Sequence, residues 1–376
     1  MKIKNKIPNF WPIKKLGEVA QYINGRAFKP SEWTDSGLPI IRIQNLTGTQ
    51  EKFNYFNGKL EERYIVEKDD ILLSWSASLG VYVWDKERAA LNQHIFKVIP
   101  YGIINKGYLL YTLVAVIERL KKQVHGSTMT HITKPTFERN KILLPPPDIQ
   151  HQIAERLDAI KKAQELNDKQ IALADELFKS LLNRELDSKG TDRKMNKLEE
   201  VAEIIMGQSP PSSTYNTKRN GLPFLQGKFE FGEIYPVPIK FCSQPLRIAK
   251  KNDVLLSVRA PVGPVNLAPS ECCIGRGLSA IRAKAEKLDQ LFLFYFMKLN
   301  EERMSLLGCG STFNAIGRDH IEKIKISLPS LQTQRQIVAK LQSVQDYKKK
   351  LLEQNQKLQE LFNSCLDRAM KGKLVR

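Results

Sequence analysis

No apolar run in the 376 residues approaches the roughly 20 that a membrane-crossing helix needs; stretches such as 108–117 and 291–297 fall well short. No transmembrane helix and no membrane partner are expected. The opening MKIKNKIPNFW has lysines but no apolar region after them, so no secretory leader is expected and the cytoplasm is the default location. Cysteine is scarce. The five present, Cys242, Cys272, Cys273, Cys309 and Cys365, make an odd number without C-x-x-C spacing, which argues against a disulfide framework or thiolate metal site and for free thiols. Five scattered histidines offer no metal cluster or general-base centre, so no metal and no cofactor is expected. Also missing are N/D-P-P-Y/F, a strand–turn–helix G-x-G, the phosphate loop G-x-x-x-x-G-K, H-E-x-x-H and any E-x-K of nuclease type. Gly221 and Gly227-Lys228 come nearest to the phosphate loop, with five intervening residues where four are required. These gaps speak against an enzyme. Acid is in deficit too: 40 Asp and Glu stand against 59 Lys and Arg, giving +19 and a polyanion, nucleic acid or an anionic surface, as the natural partner. Residues 1–147 carry 22 basic against 13 acidic side chains and residues 191–329 carry 20 against 14, whereas 148–190 carry 7 against 9.

What the chain does have is a second copy of itself, displaced by 182 to 184 residues and in register over six blocks. Lys15-Leu16-x-Glu18-Val19-Ala20 with Gly25 returns as Lys197-Leu198-x-Glu200-Val201-Ala202 with Gly207. Gly37-Leu38-Pro39 returns as Gly221-Leu222-Pro223, and Asp70-Ile71-Leu72-Leu73-Ser74 with Gly80 as Asp253-Val254-Leu255-Leu256-Ser257 with Gly263. Asn92-Gln93-His94-Ile95 aligns with Gly275-Arg276-Gly277-Leu278, and Gly126-Ser127-Thr128 with Gly310-Ser311-Thr312. Lys141-Ile142-x-Leu144-Pro145, followed by Gln150-x-Gln152-Ile153, returns as Lys325-Ile326-x-Leu328-Pro329 followed by Gln334-x-Gln336-Ile337. A period this long is a duplicated domain, not a solenoid.

Each copy opens with short apolar runs bounded by Gly, Pro and Asn, which predict strands at 38–43, 70–75, 79–84 and 95–99, and at 222–225, 253–258, 262–267 and 278–282. Helical stretches follow at 107–123 and 287–307, so the fold class is α+β. Each copy closes on a long helix with Asp148 or Ser330 at the N-cap position. Ile153, Leu157, Ile160, Ile171, Phe178 and Leu181 fall on a heptad-like seam of the first helix, and Ile337, Leu341, Val344, Leu351, Leu358 and Phe362 on that of the second. Polar residues at Gln164, Asn167, Lys348 and Asn355 interrupt the seams, which fits register selection or a further docking surface. The layout is two globular domains (1–147 and 191–329), each followed by a helical spacer (148–190 and 330–376). The helices are expected to pair as an antiparallel coiled coil relating the copies by a pseudo-twofold axis. A helix of 38 residues from 149 to 187 measures about 57 Å. Domains held at its ends would address sites about one to two turns of B-DNA apart, each turn being about 34–36 Å.

In this order of blocks the chain resembles the specificity subunits of type I restriction-modification systems, from Lys14 to about Lys371. The resemblance implies two target-recognition domains reading an asymmetric, bipartite site on double-stranded DNA. It also implies two methyltransferase (modification) subunits that use S-adenosylmethionine on adenine, together with ATP-dependent restriction subunits, all chemistry residing in those partners. A specificity subunit serving a fused restriction-methylation polypeptide, or a stand-alone DNA-binding adaptor, fits the same layout; gene neighbourhood and co-purification with a methyltransferase separate these. Base edges are read by Arg, Lys, Asn, Gln, Ser or Thr. Polar residues beside the repeated blocks are the candidates: Arg42, Gln44, Asn45, Ser74, Ser76, Asn92, Gln93, His94, Ser127, Thr128, His131 and Lys134 in the first copy, and Gln226, Lys228, Ser257, Arg259, Arg276, Ser311, Thr312 and Asn314 in the second. The Ser-Thr pairs equally suit closing a turn. Asn92-Gln93 against Gly275-Arg276 is the more informative difference, because readers of different bases must differ somewhere. Trp75 is expected to pack, since Val258 stands in its place in the second copy.

Overall fold

The computed structural model describes residues 11–76, 78–124, 133–186, 195–307 and 315–374. They form two compact units, one taking the chain to Asp168 and again from Glu353, the other Lys169–Leu352. Each long helix, Pro147–Leu186 and Leu331–Met370, contributes one half to each unit.

In the first unit an antiparallel sheet runs in the order Ala20–Asn24, Ile95–Pro100, Ile71–Ser74, Gly80–Val83. A second sheet runs Asn54–Phe56, Leu38–Ile41, Ala89–Leu91, Ile65–Val66, its central pair parallel. The second unit repeats both, with Ala202–Met206, Leu278–Ala283, Val254–Ser257 and Val265–Leu267 in one sheet and Leu222–Leu225 parallel to Cys272–Ile274 in the other.

All eight expected strands are present, and the reason for their apolar character is visible in Ile71–Ser74, buried at every position. Side chains alternate faces along a strand, so Ile71 and Leu73 enter the core shared with the helices while Leu72 enters the core between the sheets. Val254 and Leu256 divide from Leu255 in the same way. The strand expected to reach residue 43 stops at Ile41, because Arg42 begins a helical turn, Ile43–Leu46. The stretch 107–123 is one helix, Lys106–Val124, whereas 287–307 is two, Gln290–Leu299 and Glu301–Leu307. Asn300 separates them by turning its side-chain amide back onto the Phe296 carbonyl at 2.8 Å.

The long helices are each 40 residues, about 60 Å. Ser330 caps the second, accepting the Thr333 N–H at 3.2 Å. The first begins two residues earlier than expected, with Pro147 as its opening residue and Asp148 not at the cap but in the first turn, where a proline lacks nothing and a carboxylate is favoured by the helix dipole. The repeated glutamine at each helix start is buried and fastens the helix to its domain. Gln150 accepts the Asn105 N–H at 2.6 Å and donates to the carbonyls of Pro145 at 2.7 Å and Ile103 at 3.3 Å. Gln334 accepts from Asp289 at 2.8 Å and donates to Pro329 at 2.9 Å and Lys287 at 3.1 Å.

Within each unit the two helix halves run antiparallel. In the first, Arg156 donates to the Leu374 carbonyl, Gln164 to Gln359 and Asn355 to Asp168, so position rises along one helix as it falls along the other. In the second, Lys348 pairs with Asp175 at 2.7 Å and Lys340 with Glu185 at 3.2 Å. All twelve apolar seam residues face inward: Ile153, Leu157, Ile337, Leu341, Leu351 and Phe362 are buried, and Ile160, Ile171, Phe178, Leu181, Val344 and Leu358 half-buried.

Candidate nucleic-acid interface

In the second unit Ser209, Gln226, Lys228, Ser257, Arg259 and Arg276 line one open depression of 210 Å³. Three of its lining residues are cations and none is a carboxylate. All five of the expected second-copy residues that the structure describes meet here, although they come from three separate segments of the chain, Ser257 from the end of a strand.

The loop Gly275–Gly277 joins two strands whose facing residues are buried, and its backbone is held on every side. Gly275 N–H donates to Leu225 at 2.8 Å, Arg276 N–H to the Ser209 hydroxyl at 3.2 Å, and the Gly277 carbonyl accepts from Val258 at 2.9 Å. Gly207 sits so close that a Cβ on it would overlap the Gly275 carbonyl oxygen, a case where only glycine fits. The Arg276 side chain is exposed and, among the described residues, has no hydrogen-bond or ion-pair partner. It is near enough to the Tyr215 phenol to oppose the rise that burial imposes on that group. Lys228 and Arg259 are exposed as well. Ser257, in contrast, is buried and donates to the carbonyls of Pro261 at 2.8 Å and Arg259 at 3.2 Å, so its hydroxyl shapes the loop that carries Arg259.

The first unit builds the corresponding place with three equivalent backbone bonds: Gly25 N–H donates to Ile95 as Gly207 N–H does to Leu278, Arg26 N–H to Leu91 as Gln208 N–H to Ile274, and Trp75 N–H to the His94 carbonyl as Val258 N–H to that of Gly277. The amide at the loop tip is held differently: Gln93 N–H donates to the Arg26 carbonyl at 2.9 Å, where Arg276 N–H meets the Ser209 hydroxyl. Gly25 abuts the Asn92 carbonyl as Gly207 abuts that of Gly275. Gln93 and Gln44 are exposed, Asn92 half-buried. Other expected residues are occupied internally. Arg42 lies over the Trp33 ring, 5.5 Å from its centroid, and donates to Asn54 at 3.3 Å. Asn45 accepts from the Arg42 N–H and donates to the carbonyls of Gln50 and Lys52. The Lys134 ammonium donates to the Tyr22 carbonyl at 2.7 Å and faces Glu138 at 3.6 Å. Ser74 is buried and donates to the Ser78 carbonyl; Ser76 is buried beside it. His94 adopts φ +71 with its Nδ1 buried and without a hydrogen bond. Trp75 packs, stacked on Phe96 at 5.7 Å and donating to Asn24 at 3.1 Å. Ser127, Thr128, His131, Ser311, Thr312 and Asn314 lie outside the described residues.

Three participants escaped the sequence reading in whole or in part. Ser209 has no polar counterpart in the first copy, where Ala27 occupies its place, and only its position two residues after the repeated Gly207 hints at it. Gly25 and Gly207 themselves were legible as repeats but not as the contact that admits the loop. Among the described residues no group of three or more His, Cys, Asp or Glu could hold a metal ion, and no helix is long and apolar enough to cross a membrane.

The family profile of the type I restriction modification DNA specificity domain matches residues 8–174 and again 191–362. The putative type I restriction enzyme MjaX specificity subunit of Methanocaldococcus jannaschii is 32% identical, over 98% of this chain and 95% of that protein. A chain solved in work on complex assembly and conformational transition of the type I R-M system aligns with TM-score 0.68 at 29% identity, covering 98% of this chain and 100% of its own. The crystal structure of the HsdS subunit from Thermoanaerobacter tengcongensis aligns with TM-score 0.57 at 28% identity, covering 99% of each.

Proposed function

The chain belongs to the type I restriction modification DNA specificity family, and from that premise we propose that its two globular domains read the two halves of an asymmetric, bipartite DNA target. It would direct adenine methylation and restriction by partner subunits that carry the catalytic sites. One observation supports this above the rest: the loop Gly275–Gly277 and its counterpart Asn92–His94 are seated by three equivalent backbone bonds but present different side chains, Arg276 and Gln93. A duplicated scaffold with altered contact residues suits two readers of unlike sequences. The cations around the second loop suit phosphate contact, which positions a protein on DNA without reading it. The long helices suit a spacer between the half-targets, because their length is set by sequence and their seam by paired side chains.

Methylome sequencing of the host with and without this gene tests the reading. The expected result is one bipartite motif with a fixed spacer that is methylated only when the gene is present. An unchanged methylome would overturn it.

A further inference from the structure

Resting on that reading, we propose that Arg276 reads a guanine in one half-target and Gln93 an adenine in the other, from the major groove. Four observations carry this. Both side chains project from loops seated by three equivalent backbone bonds, and each residue's own N–H is held, that of Arg276 by the Ser209 hydroxyl and that of Gln93 by the Arg26 carbonyl, so each is presented without an ordering cost in the main chain. Both are exposed, and among the described residues neither side chain has an internal hydrogen-bond partner to give up.

Their chemistries differ in the way that base edges differ. Guanine offers two acceptors, O6 and N7, matched by the paired donors of a guanidinium. Adenine offers the N7 acceptor and the N6 donor, matched by the donor and acceptor of a carboxamide. Finally, the other exposed polar pair at corresponding positions, Gln44 and Lys228, is not presented alike: Gln44 is in a helical turn, Ile43–Leu46, and Lys228 in a tighter turn, Lys228–Glu230, held by the Glu230 carboxylate on the Gly227 N–H at 3.2 Å. Lys228, Arg259 and Arg276 are all exposed cations of one depression, and of the three only Arg276 sits on the loop that both units seat alike.

The test uses the full chain co-expressed with its methyltransferase partner, with Arg276→Gln and Gln93→Arg made separately and the methylated motif of each determined. Arg276→Gln is expected to change one position of one half-target from G towards A, with discrimination against the original base on the order of tenfold. Gln93→Arg is expected to do the converse in the other half-target. Binding of each purified complex to duplexes carrying the old and new motifs should show the same reversal, with the salt dependence little changed. If the wild-type complex yields no bipartite motif, the functional reading itself falls. If it yields one that both folded variants keep unaltered, or that Arg276→Gln weakens equally at every position with a shallower salt dependence, the base assignment falls alone. Should Arg276→Gln not assemble, Gln93→Arg decides: gain of G at a single position supports the assignment, and retention of the original motif overturns it.

Discussion

Gly207 lies against Gly275 so tightly that a side chain on the first would strike the carbonyl oxygen of the second, and Gly25 stands in the same relation to Asn92. The glycine at the end of one strand thus fixes the height of the loop that carries Arg276 or Gln93. Replacing Gly207 by alanine forces that loop outward and strains the Gly207 N–H bond to Leu278, 2.9 Å long, at about 1–3 kcal/mol of stability for the overpacking. The expected outcome is a loss of affinity through one half-target only, on the order of tenfold because a displaced contact forfeits about 1–3 kcal/mol. Competition binding with duplexes mutated in either half checks it.

Gln334 makes three hydrogen bonds while wholly buried. Gln334→Leu leaves the Asp289 N–H and two carbonyls without partners, and such orphaned groups cost about 1–3 kcal/mol each variant. The thermal midpoint should fall by about 2–4 °C for each kcal/mol lost from a unit of this size, and Gln150→Leu should match it. An unchanged midpoint for both would mean that these side chains are dispensable fasteners.

Lys228 and Arg259 are expected to meet phosphate, not bases. Alanine at either should weaken binding to matched and mismatched duplexes alike and lower the slope of log K against log salt by about 0.9, the counterion released per contact. Titrations at several salt concentrations measure this directly.

The helices offer a separate prediction. Seven residues inserted after Asp168 in one helix and before Asn355 in the other keep the heptad seam, since those two residues are hydrogen-bonded at 2.7 Å. The added rise is about 10 Å, so the unread spacer of the target should lengthen by about three base pairs at roughly 3.4 Å each. Selection from a duplex library with a randomised spacer length reads the outcome.

Much of this architecture is legible in the sequence because it rests on local patterns. The duplication follows from matched blocks, and the strands around Leu72 and Leu255 from short apolar runs. The seam from Ile153 to Leu181 follows from its alternating steps. What was not legible depends on long-range closure. Gln150 and Gln334 read as polar residues at a helix start, and only the folding of the 103–105 and 287–289 segments over them makes them buried anchors. Lys134 and Arg42 read as free cations until the fold brings up the Tyr22 carbonyl and the Trp33 ring. The parallel pairing of Leu38–Ile41 with Ala89–Leu91 joins segments about fifty residues apart, and periodicity is silent about such partners.

The most direct test of two independent readers is an exchange of residues 14–147 for the corresponding domain of another family member, with the rest of the chain and its methyltransferase partner unchanged. The methylated motif should then acquire a new first or second half while the other half stays as it was. If both halves change together, or neither does, the two domains do not read separate halves of the target.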